Sequence, residues 1–296
     1  MKKIVVMVVR DEEFFIRMGL ESILPYVDGV YILDTGSKDS TLQILNESRN
    51  AYKGKLVFEQ GDFGGDRRFA QGYREKDARN HAVERAIQHF DPDWITCMDA
   101  DEIFLPQFWE AFGTKITMNN YAVGHPTEML ISTNPVRIGR HPEKMVNWSH
   151  VKATQLLHDP HVRTWNTRKN KVRWEHFPNR HVILSSNGVA DLSCDVVLEE
   201  PIHFHFHHTF GAKAIYTWIF GEHRIDPHSP DGLLPNEYVY SQEKYKLEYP
   251  QLFNNKGQFT PPISAFREAI KHSVELPKQY NIPSVVLQRW EEWGAF

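Results

Sequence analysis

Two acidic residues stand close together behind a short apolar run in the first half of the chain. The run Trp94–Met98 is typical of a buried β-strand, and Asp99–Glu102 follows it directly. Residues two apart in extended chain point to the same side, so Asp99 and Asp101 are expected to face the crevice at the carboxyl end of this strand. Paired carboxylate oxygens suit Mg²⁺ or Mn²⁺, which share their remaining positions with water and phosphate groups. The alternative is an acidic loop that caps a helix near Pro106.

Three further polar segments in the same half stand where strands end or a helix begins. Arg10–Glu13 follows the apolar strand Ile4–Val9, and Asp34–Thr41 follows the strand Val30–Leu33. Ala78–Asn80 lies at the start of the helix that precedes the Asp-x-Asp strand. Because parallel strands of an open α/β sheet present their carboxyl ends at one edge, we expect these segments to border one ligand crevice.

The residue types in these segments suit a nucleotide. Asp34 is placed to accept N–H bonds from a base or hydroxyl bonds from a ribose, while Gly36 allows a tight turn and Ser37 can cap the next helix. A simple capped turn is the alternative. Arg79 lies in the first turn of a helix, where the helix dipole disfavours a cation, so an anionic partner is indicated unless the side chain is merely solvated. Glu12 at a helix start is stabilising in its own right.

Together, and in this order, the four segments resemble the family 2 glycosyltransferases of the GT-A fold, which are nucleotide-sugar-dependent enzymes with an Asp-x-Asp metal site. The resemblance covers roughly residues 1–110. It implies an α/β fold with a Rossmann-like mixed sheet flanked by helices. It also implies a nucleotide-diphosphate sugar as donor, UDP as the expected nucleotide, Mn²⁺ or Mg²⁺, and inverting transfer of a hexosyl or pentosyl group to a hydroxyl acceptor. Donor contacts are implied for Val9, Arg10, Glu12, Asp34, Arg79 and Asp99.

The resemblance further implies a division of roles at the metal. Asp101 is expected to bind the metal directly, and Asp99 to bind it through water or to hold the ribose. In this family a third ligand, often His, comes from late in the chain; here His203, His205 and His207 share one face of an extended segment. Imidazole suits Mn²⁺ better than Mg²⁺, and His205, followed by His203, is the expected ligand. A structural role for these histidines is the alternative.

Catalysis needs a carboxylate that accepts the proton of the acceptor hydroxyl. The base is expected between the Asp-x-Asp and the late histidines, where the candidates are Glu175, Asp191 and Asp195. Glu175 is preferred because the flanking Trp174 and His176 suit a sugar-lined cleft.

The elements that must position these residues alternate between strand and helix, which is typical of a parallel, doubly wound sheet. The predicted strands are Ile4–Val9, Val30–Leu33, Leu56–Glu59 and Trp94–Met98, and the predicted helices are Glu12–Leu24, Ser40–Arg49 and one that starts near Asp77. After about residue 121 the pattern predicts an antiparallel or mixed extension. We expect a catalytic domain over 1–225, divided into a nucleotide-sugar half (1–120) and an acceptor half (121–225), followed by a helical segment over 226–296.

Charge is unevenly distributed along the 296 residues, although the net charge of −4 argues against a general polyanion binder. Residues 137–181 hold ten Lys or Arg against three Asp or Glu, interleaved with Trp148, Trp165 and Trp174. This basic stretch fits an anionic acceptor such as a phosphorylated glycan, a lipid phosphate or modified DNA, or else a solvated face. The polar loop 62–76, which lengthens the family pattern, fits a flap over phosphates or a plain surface insertion.

Cysteine content indicates the compartment. The chain has two cysteines, and Cys97 lies in a predicted core strand, so a reducing, cytoplasmic location is expected. The N-terminal apolar stretch is short and meets Arg10–Glu13 at once, which favours a first strand over a signal peptide. No run reaches the length of a transmembrane helix.

Two other functions are compatible with the same architecture. A non-catalytic protein that binds a glycan or nucleic acid would use the basic stretch, whereas the Asp-x-Asp and the histidines favour catalysis. A sugar-nucleotide nucleotidyltransferase would carry a Gly-rich basic loop after the first strand, where this chain has Arg10–Glu13.

Overall fold

The computed structural model describes the first part of the chain most fully. The described residues are 1–13, 15–63, 75–125, 127–132, 150–155, 161–176, 182–186, 189–190, 194–198, 202–205, 284 and 288. Asp191, His207, most of the 62–76 loop and nearly all of the expected C-terminal helical segment lie outside them.

The first part of the chain alternates strands and helices as its apolar pattern predicts. Its elements are β1 (Lys3–Val9), α1 (Ile16–Ile23), β2 (Gly29–Asp34), α2 (Thr41–Ala51), β3 (Leu56–Gln60), α3 (Glu75–Phe90), β4 (Trp94–Met98), β5 (Glu102–Phe104) and α4 (Pro106–Lys115). Every residue of β2 and β4 is buried, as expected for parallel strands covered on both faces. Proline at the first position of α4 fixes the start of that helix.

The second part consists mainly of short strands. They are β6 (Ala122–His125), β7 (Thr127–Ser132), β8 (His150–Gln155), β9 (His161–Asn166), β10 (Val172–His176), β11 (Val182–Ser186), β12 (Val189–Ala190), β13 (Val196–Val197) and β14 (His203–His205). The single strand-like run expected over 196–207 is divided into β13 and β14, which belong to different sheets.

The central sheet has seven strands in the order β13-β6-β9-β4-β1-β2-β3. Strand β1 is parallel to β2 and β4, and β2 is parallel to β3. Strand β9 is antiparallel to both β4 and β6, so the sheet is mixed. The predicted mixed sheet flanked by helices is therefore confirmed. The smaller sheets are β10-β11-β12 and β5-β14-β7-β8.

Alternating residues of β1 build two cores, one on each face of the sheet. Val5, Met7 and Val9 belong to a cluster that includes the apolar residues of α1 and the aromatic residues of α4. Ile4 and Val6 belong to a second cluster with the alanine-rich face of α3. Because a strand points successive side chains to opposite faces, this one apolar run anchors helices on both sides and fixes the edge where the functional residues lie.

Candidate active site

The segments that follow β1, β2 and β4 leave the sheet at the same edge. Val9 at the end of β1 is in register with Asp34 at the end of β2, and Met7 is in register with Met98 of β4. The three strands are parallel, so the loops after them are neighbours in space. This edge is where open α/β sheets bind their ligands.

The loops after β1 and β2 are locked together by hydrogen bonds in both directions. The Asp11 N–H donates to Ser37 Oγ over 2.8 Å, and Asp11 Oδ1 accepts a backbone N–H of the other loop over 2.7 Å. Asp11 has φ 53, a left-handed conformation that aspartate tolerates better than most residues. The Glu12 N–H donates to Thr41 Oγ1 over 2.8 Å. Helix α1 starts at Ile16 and not at Glu12, and the Glu12 carbonyl accepts the Ile16 N–H over 3.0 Å.

Asp34 is fully buried and holds its own turn. Its Oδ1 accepts the N–H groups of Gly36 and Ser37, each over 3.0 Å, and its Oδ2 accepts the Ser37 hydroxyl. Gly36 has φ 105, which favours glycine. The carboxylate thus performs the turn-capping role that the sequence offered as an alternative, and its contact with a nucleotide stays a prediction.

Asp99 lies between two arginines. Arg79 Nη2 is 3.2 Å from Asp99 Oδ1, and Arg163 Nη1 is 3.8 Å from Asp99 Oδ2. Arg79 Nε also pairs with Glu75 Oε1 over 2.9 Å. Burial lowers the pKa of Arg79, but the two carboxylates outweigh it and raise the pKa above its ordinary value, so this side chain stays charged. The anionic partners expected for Arg79 therefore include carboxylates of the chain itself.

Glu102 is buried behind the Asp-x-Asp, where its carboxylate contacts three other residues. Its Oε2 accepts the Asp99 N–H over 2.9 Å, and its Oε1 lies 2.5 Å from Arg163 Nη1 and 3.3 Å from His203 Nε2. Arg163 is a site residue that was not predicted, because no local signal in the sequence shows that β9 is inserted beside β4. Glu102 begins β5, so it does not belong to the acidic loop that the sequence offered as an alternative.

The two described late histidines lie beside the acidic residues. Strand β14 pairs antiparallel with β5, which puts His205 opposite Glu102. Ligand atoms of Glu102, His203 and His205 all lie within 4.8 Å of one another, and His205 Nε2 is 3.8 Å from Asp101 Oδ1. Carboxylate oxygens and imidazole nitrogens together fit Mn²⁺ better than Mg²⁺. Asp101, Glu102, His203 and His205 therefore form a donor set that fits the expected metal, whereas Asp99 faces the arginines.

Glu175 lies on β10, which packs against α3. The residue is partly buried, and its carboxylate makes no hydrogen bond or ion pair within the described part of the chain. Trp174, its neighbour, lies against Arg79, with the guanidinium carbon 4.7 Å from the ring centroid. Successive residues of a strand project from opposite faces, so Trp174 and Glu175 belong to different faces of β10.

Asp195 caps the start of β6. Its Oδ1 accepts the N–H groups of Tyr121 and Ala122, each over 2.9 Å. Burial raises the pKa of Asp195, but these N–H bonds outweigh it and hold the pKa below its ordinary value. Since β6 and β4 are both antiparallel to β9, the start of β6 lies at the sheet edge opposite Asp99. Of the candidate bases, Asp195 has a structural role away from the Asp-x-Asp, and Asp191 lies outside the described residues.

Part of the basic stretch is used within the chain. Arg163 pairs with the acidic residues of the site, and Arg168 Nη1 pairs with Asp91 Oδ1 over 2.7 Å on the surface. Residues 137–149, 156–160 and 177–181 of this stretch lie outside the described residues. Arg163 and Arg168 are therefore engaged by carboxylates of the chain itself.

These features define an α/β protein with parallel strands in its first half and an acidic, histidine-bearing site at the carboxyl edge of β4. The family model "Glycosyl transferase family 2" matches residues 4–182, more than half of the chain. The chain belongs to this family.

Individual relatives match more weakly. A TPR repeat-containing protein of Synechococcus elongatus is 35% identical over 103 residues, which are 35% of this chain and 21% of that protein. The chain thus spans about a fifth of that relative's length.

Among solved structures, TarS 1–349 of S. aureus is 15% identical, with a TM-score of 0.44 over 99% of this chain and 88% of that one. The same protein in complex with UDP-GlcNAc gives 14% identity and a TM-score of 0.43, with the same shares covered. Glucosyl-3-phosphoglycerate synthase of Mycobacterium tuberculosis is 22% identical, with a TM-score of 0.30 over 42% of this chain and 43% of that one. Within the described residues of this chain, none of the helices has the length and apolar character needed to cross a membrane.

Proposed function

We propose that this chain is a metal-dependent, inverting glycosyltransferase that moves a sugar from a nucleotide-diphosphate donor, with UDP as the nucleotide, to a hydroxyl acceptor. The observation that carries the proposal is the cluster of Asp101, Glu102, His203 and His205 at the carboxyl edge of β4. Membership of the glycosyl transferase family 2 supports the same reaction class.

The donor nucleotide would lie along the loops after β1 and β2. Hydrogen bonds lock these loops to each other, so the surface they form is organised before any ligand arrives. The Asp34 turn presents the backbone of Gly36 and Ser37 at this edge, and buried Arg10 follows β1. Preorganised polar groups lower the cost of ordering a bound ligand, which supports a nucleoside site here.

Asp101, His205 and His203 would hold the metal, with Glu102 behind them. A divalent cation bound there would neutralise the charge that develops on the leaving diphosphate. Arg79 and Arg163 hold Asp99 at the same edge. The Asp99 carboxylate is thereby fixed in advance for contact with the ribose or with a water on the metal, and such a preorganised group costs no reorganisation during the reaction.

Glu175 is the proposed base that accepts the proton of the acceptor hydroxyl. Its carboxylate has no hydrogen bond or ion pair among the described residues, so none of them competes for the transferred proton. Asp195 is a poorer base because its oxygens already accept backbone N–H groups and its pKa is lowered. Glu175→Gln should abolish turnover and keep donor binding; turnover like that of wild type would remove Glu175 from the mechanism.

The deciding experiment incubates purified protein with Mn²⁺ and a panel of nucleotide sugars, and measures nucleotide release and binding. We expect nucleotide release from at least one UDP-sugar. In Asp101→Ala the rate of release should fall by about 100-fold or more, because removal of one group that stabilises developing charge commonly costs an enzyme this much in kcat. Glu84→Ala, which changes an exposed acid on α3, is the matched control. No binding or release with any donor, or an Asp101→Ala variant equal to wild type, would overturn the proposal. Binding without release would favour the non-catalytic alternative.

A further inference from the structure

The side chain of Asn80 holds both backbone polar groups of one residue on a distant strand. Asn80 Nδ2 donates to the Trp174 carbonyl over 2.9 Å, and the Trp174 N–H donates to Asn80 Oδ1 over 2.8 Å. These two bonds reproduce the pattern that a neighbouring β-strand would make, and they join α3 to β10 across 94 positions of sequence. A carboxamide offers a donor and an acceptor on one rigid plane, which this contact requires.

The residue before Asn80 contacts the same tryptophan through its ring. The Arg79 guanidinium carbon lies 4.7 Å from the centroid of the Trp174 ring, within the range of a cation–π contact. The same guanidinium bonds Asp99 at 3.2 Å and Glu75 at 2.9 Å. Adjacent residues of α3 therefore hold Trp174 in two ways, one by its backbone and one by its ring.

This arrangement has a consequence for the Arg79 side chain. A long arginine side chain has many rotamers, and a planar guanidinium keeps a defined direction only when its face and its N–H groups are both engaged. Trp174 engages the face, while Asp99 and Glu75 engage the N–H groups. The position of the Trp174 ring in turn depends on its backbone, which Asn80 fixes.

We propose that Asn80 and Trp174 are positioning residues that act through Arg79. Asn80 fixes the backbone of Trp174, the indole fixes the plane of the guanidinium, and the guanidinium holds the Asp99 carboxylate at the edge of the donor site. The inference rests on the proposed function only in that Asp99 borders the nucleotide-binding site.

A double-mutant cycle on UDP binding tests this chain of contacts. With Mn²⁺ present, isothermal titration calorimetry should show that Asn80→Ala raises the Kd for UDP about tenfold. If this effect disappears without Arg79, the coupling between the two residues lies in the usual range for residues of one network. In the Arg79→Ala background, Asn80→Ala should add nothing, because the residue it acts through is gone. Additive losses in the two backgrounds, or an unchanged Kd in Asn80→Ala, would overturn the inference.

Conservative variants separate positioning from a general loss of structure. Trp174→Phe keeps an aromatic face and should retain the Kd of wild type within about threefold, whereas Trp174→Leu should match Asn80→Ala. Asn80→Asp keeps the bond from the Trp174 N–H but loses the donor, so it should be intermediate. Asn46→Ala on α2 is the matched control, because the Asn46 amide donates to a carbonyl of its own helix. An equal loss in Asn46→Ala would contradict the specific role of Asn80.

A second readout needs no ligand. The Arg79 Nε–H, which donates to Glu75, should give a slowly exchanging NMR signal in the wild-type protein and in Asn46→Ala. The signal should exchange rapidly in Asn80→Ala and keep partial protection in Asn80→Asp. If the wild type does not bind UDP, the proposed function fails, yet this signal still decides whether Asn80 positions Arg79. Equal protection in Asn80→Ala and wild type would refute the positioning role.

Discussion

Arg163 Nη1 lies 2.5 Å from Glu102 Oε1, which joins the inserted strand β9 to β5 beneath the Asp-x-Asp loop. The Glu102 side chain is fully buried, and that of Arg163 is 15% exposed. Glu102 also accepts the Asp99 N–H over 2.9 Å. Through this carboxylate, a cation from the second half of the chain supports the loop that carries the predicted metal and donor ligands.

Removal of this cation should destabilise the protein strongly. Arg163→Met leaves the Glu102 carboxylate buried without its counterion, and we expect the free energy of unfolding to fall by about 3 kcal/mol. Urea denaturation measures the change. The double variant Arg163→Met, Glu102→Gln should recover part of the loss because it removes the uncompensated charge. Arg168→Met, which breaks a surface pair, is the control and should change stability little; an equal loss in both arginine variants would contradict the prediction.

Two substitutions of Asp34 should distinguish its structural role in the turn from a direct contact with the nucleotide. Asp34→Ala removes the acceptor of two backbone N–H groups and should lower the free energy of unfolding by about 1–3 kcal/mol. Asp34→Asn keeps an oxygen for these groups and loses only the acceptor of the Ser37 hydroxyl, so it should be more stable than Asp34→Ala. Because Asp34 is fully buried, we expect UDP affinity to fall in Asp34→Ala and to be kept in Asp34→Asn. A tenfold loss of affinity in the stable Asn variant would show instead that the carboxylate contacts the base.

The first half of the fold was predictable because its signals are local. The apolar run at Trp94–Met98 has the same bounds in sequence and structure, and the strands at Ile4 and Val30 differ by one residue at their ends. Each run is short, apolar, rich in β-branched residues and followed by polar turn residues, so neighbours in sequence determine it. The position of the Asp-x-Asp at a strand end followed from the same pattern.

The second half of the site depends on pairings between distant residues. Arg163 reaches Glu102 only because β9 enters the sheet antiparallel between β4 and β6. His203 and His205 reach the acidic residues only because β14 pairs with β5. Strand alternation puts histidines on one face but does not select the partner strand, and a two-residue strand such as β13 carries too little pattern to be recognised.

Asp195 should make stability depend on pH in the acidic range. Its folded pKa is lowered by N–H bonds from Ala122 and Tyr121, so its contribution is complete above the ordinary value of 3.8 and is lost as the pH falls through the folded pKa. We expect Asp195→Ala to lose at most about 1 kcal/mol at pH 7, since the residue is exposed. The difference from wild type, measured by thermal unfolding, should stay constant from about pH 7 to 5 and shrink below the ordinary aspartate pKa. A stability difference between variant and wild type that grows as the pH falls would contradict the prediction.

The two cysteines should differ in reactivity. Burial raises the pKa of the Cys97 thiol to about 12, so the reactive thiolate is scarce at neutral pH and the sulfur is covered. Burial also raises the pKa of Cys194, but this residue is only partly buried. In the native protein, Ellman's reagent should react with Cys194 slowly and with Cys97 only after denaturation. Cys194→Ser should abolish native labelling, and rapid labelling of that variant would place Cys97 at the surface.

Removal of single ligands should weaken Mn²⁺ binding to different degrees. His205 Nε2 lies 3.8 Å from Asp101 Oδ1, so these two groups can turn toward one ion with little rearrangement. His203 is buried, with its ring stacked 5.3 Å from that of Phe104, and it lies beside Glu102, whose charge Arg163 already compensates. We therefore expect Asp101→Asn and His205→Ala to weaken Mn²⁺ binding more than tenfold, as loss of a ligand commonly does, and His203→Ala to weaken it less.

Electron paramagnetic resonance of free Mn²⁺ measures these affinities without any donor. His89→Ala, on the exposed side of α3, is the matched control and should bind like wild type. Treatment with EDTA should reduce UDP binding by the wild type and leave that of Asp101→Asn nearly unchanged, because the variant has already lost the metal's contribution. If His203→Ala lost more affinity than His205→Ala, the ion would sit toward Glu102, and the Arg163–Glu102 pair would have to open for it to bind.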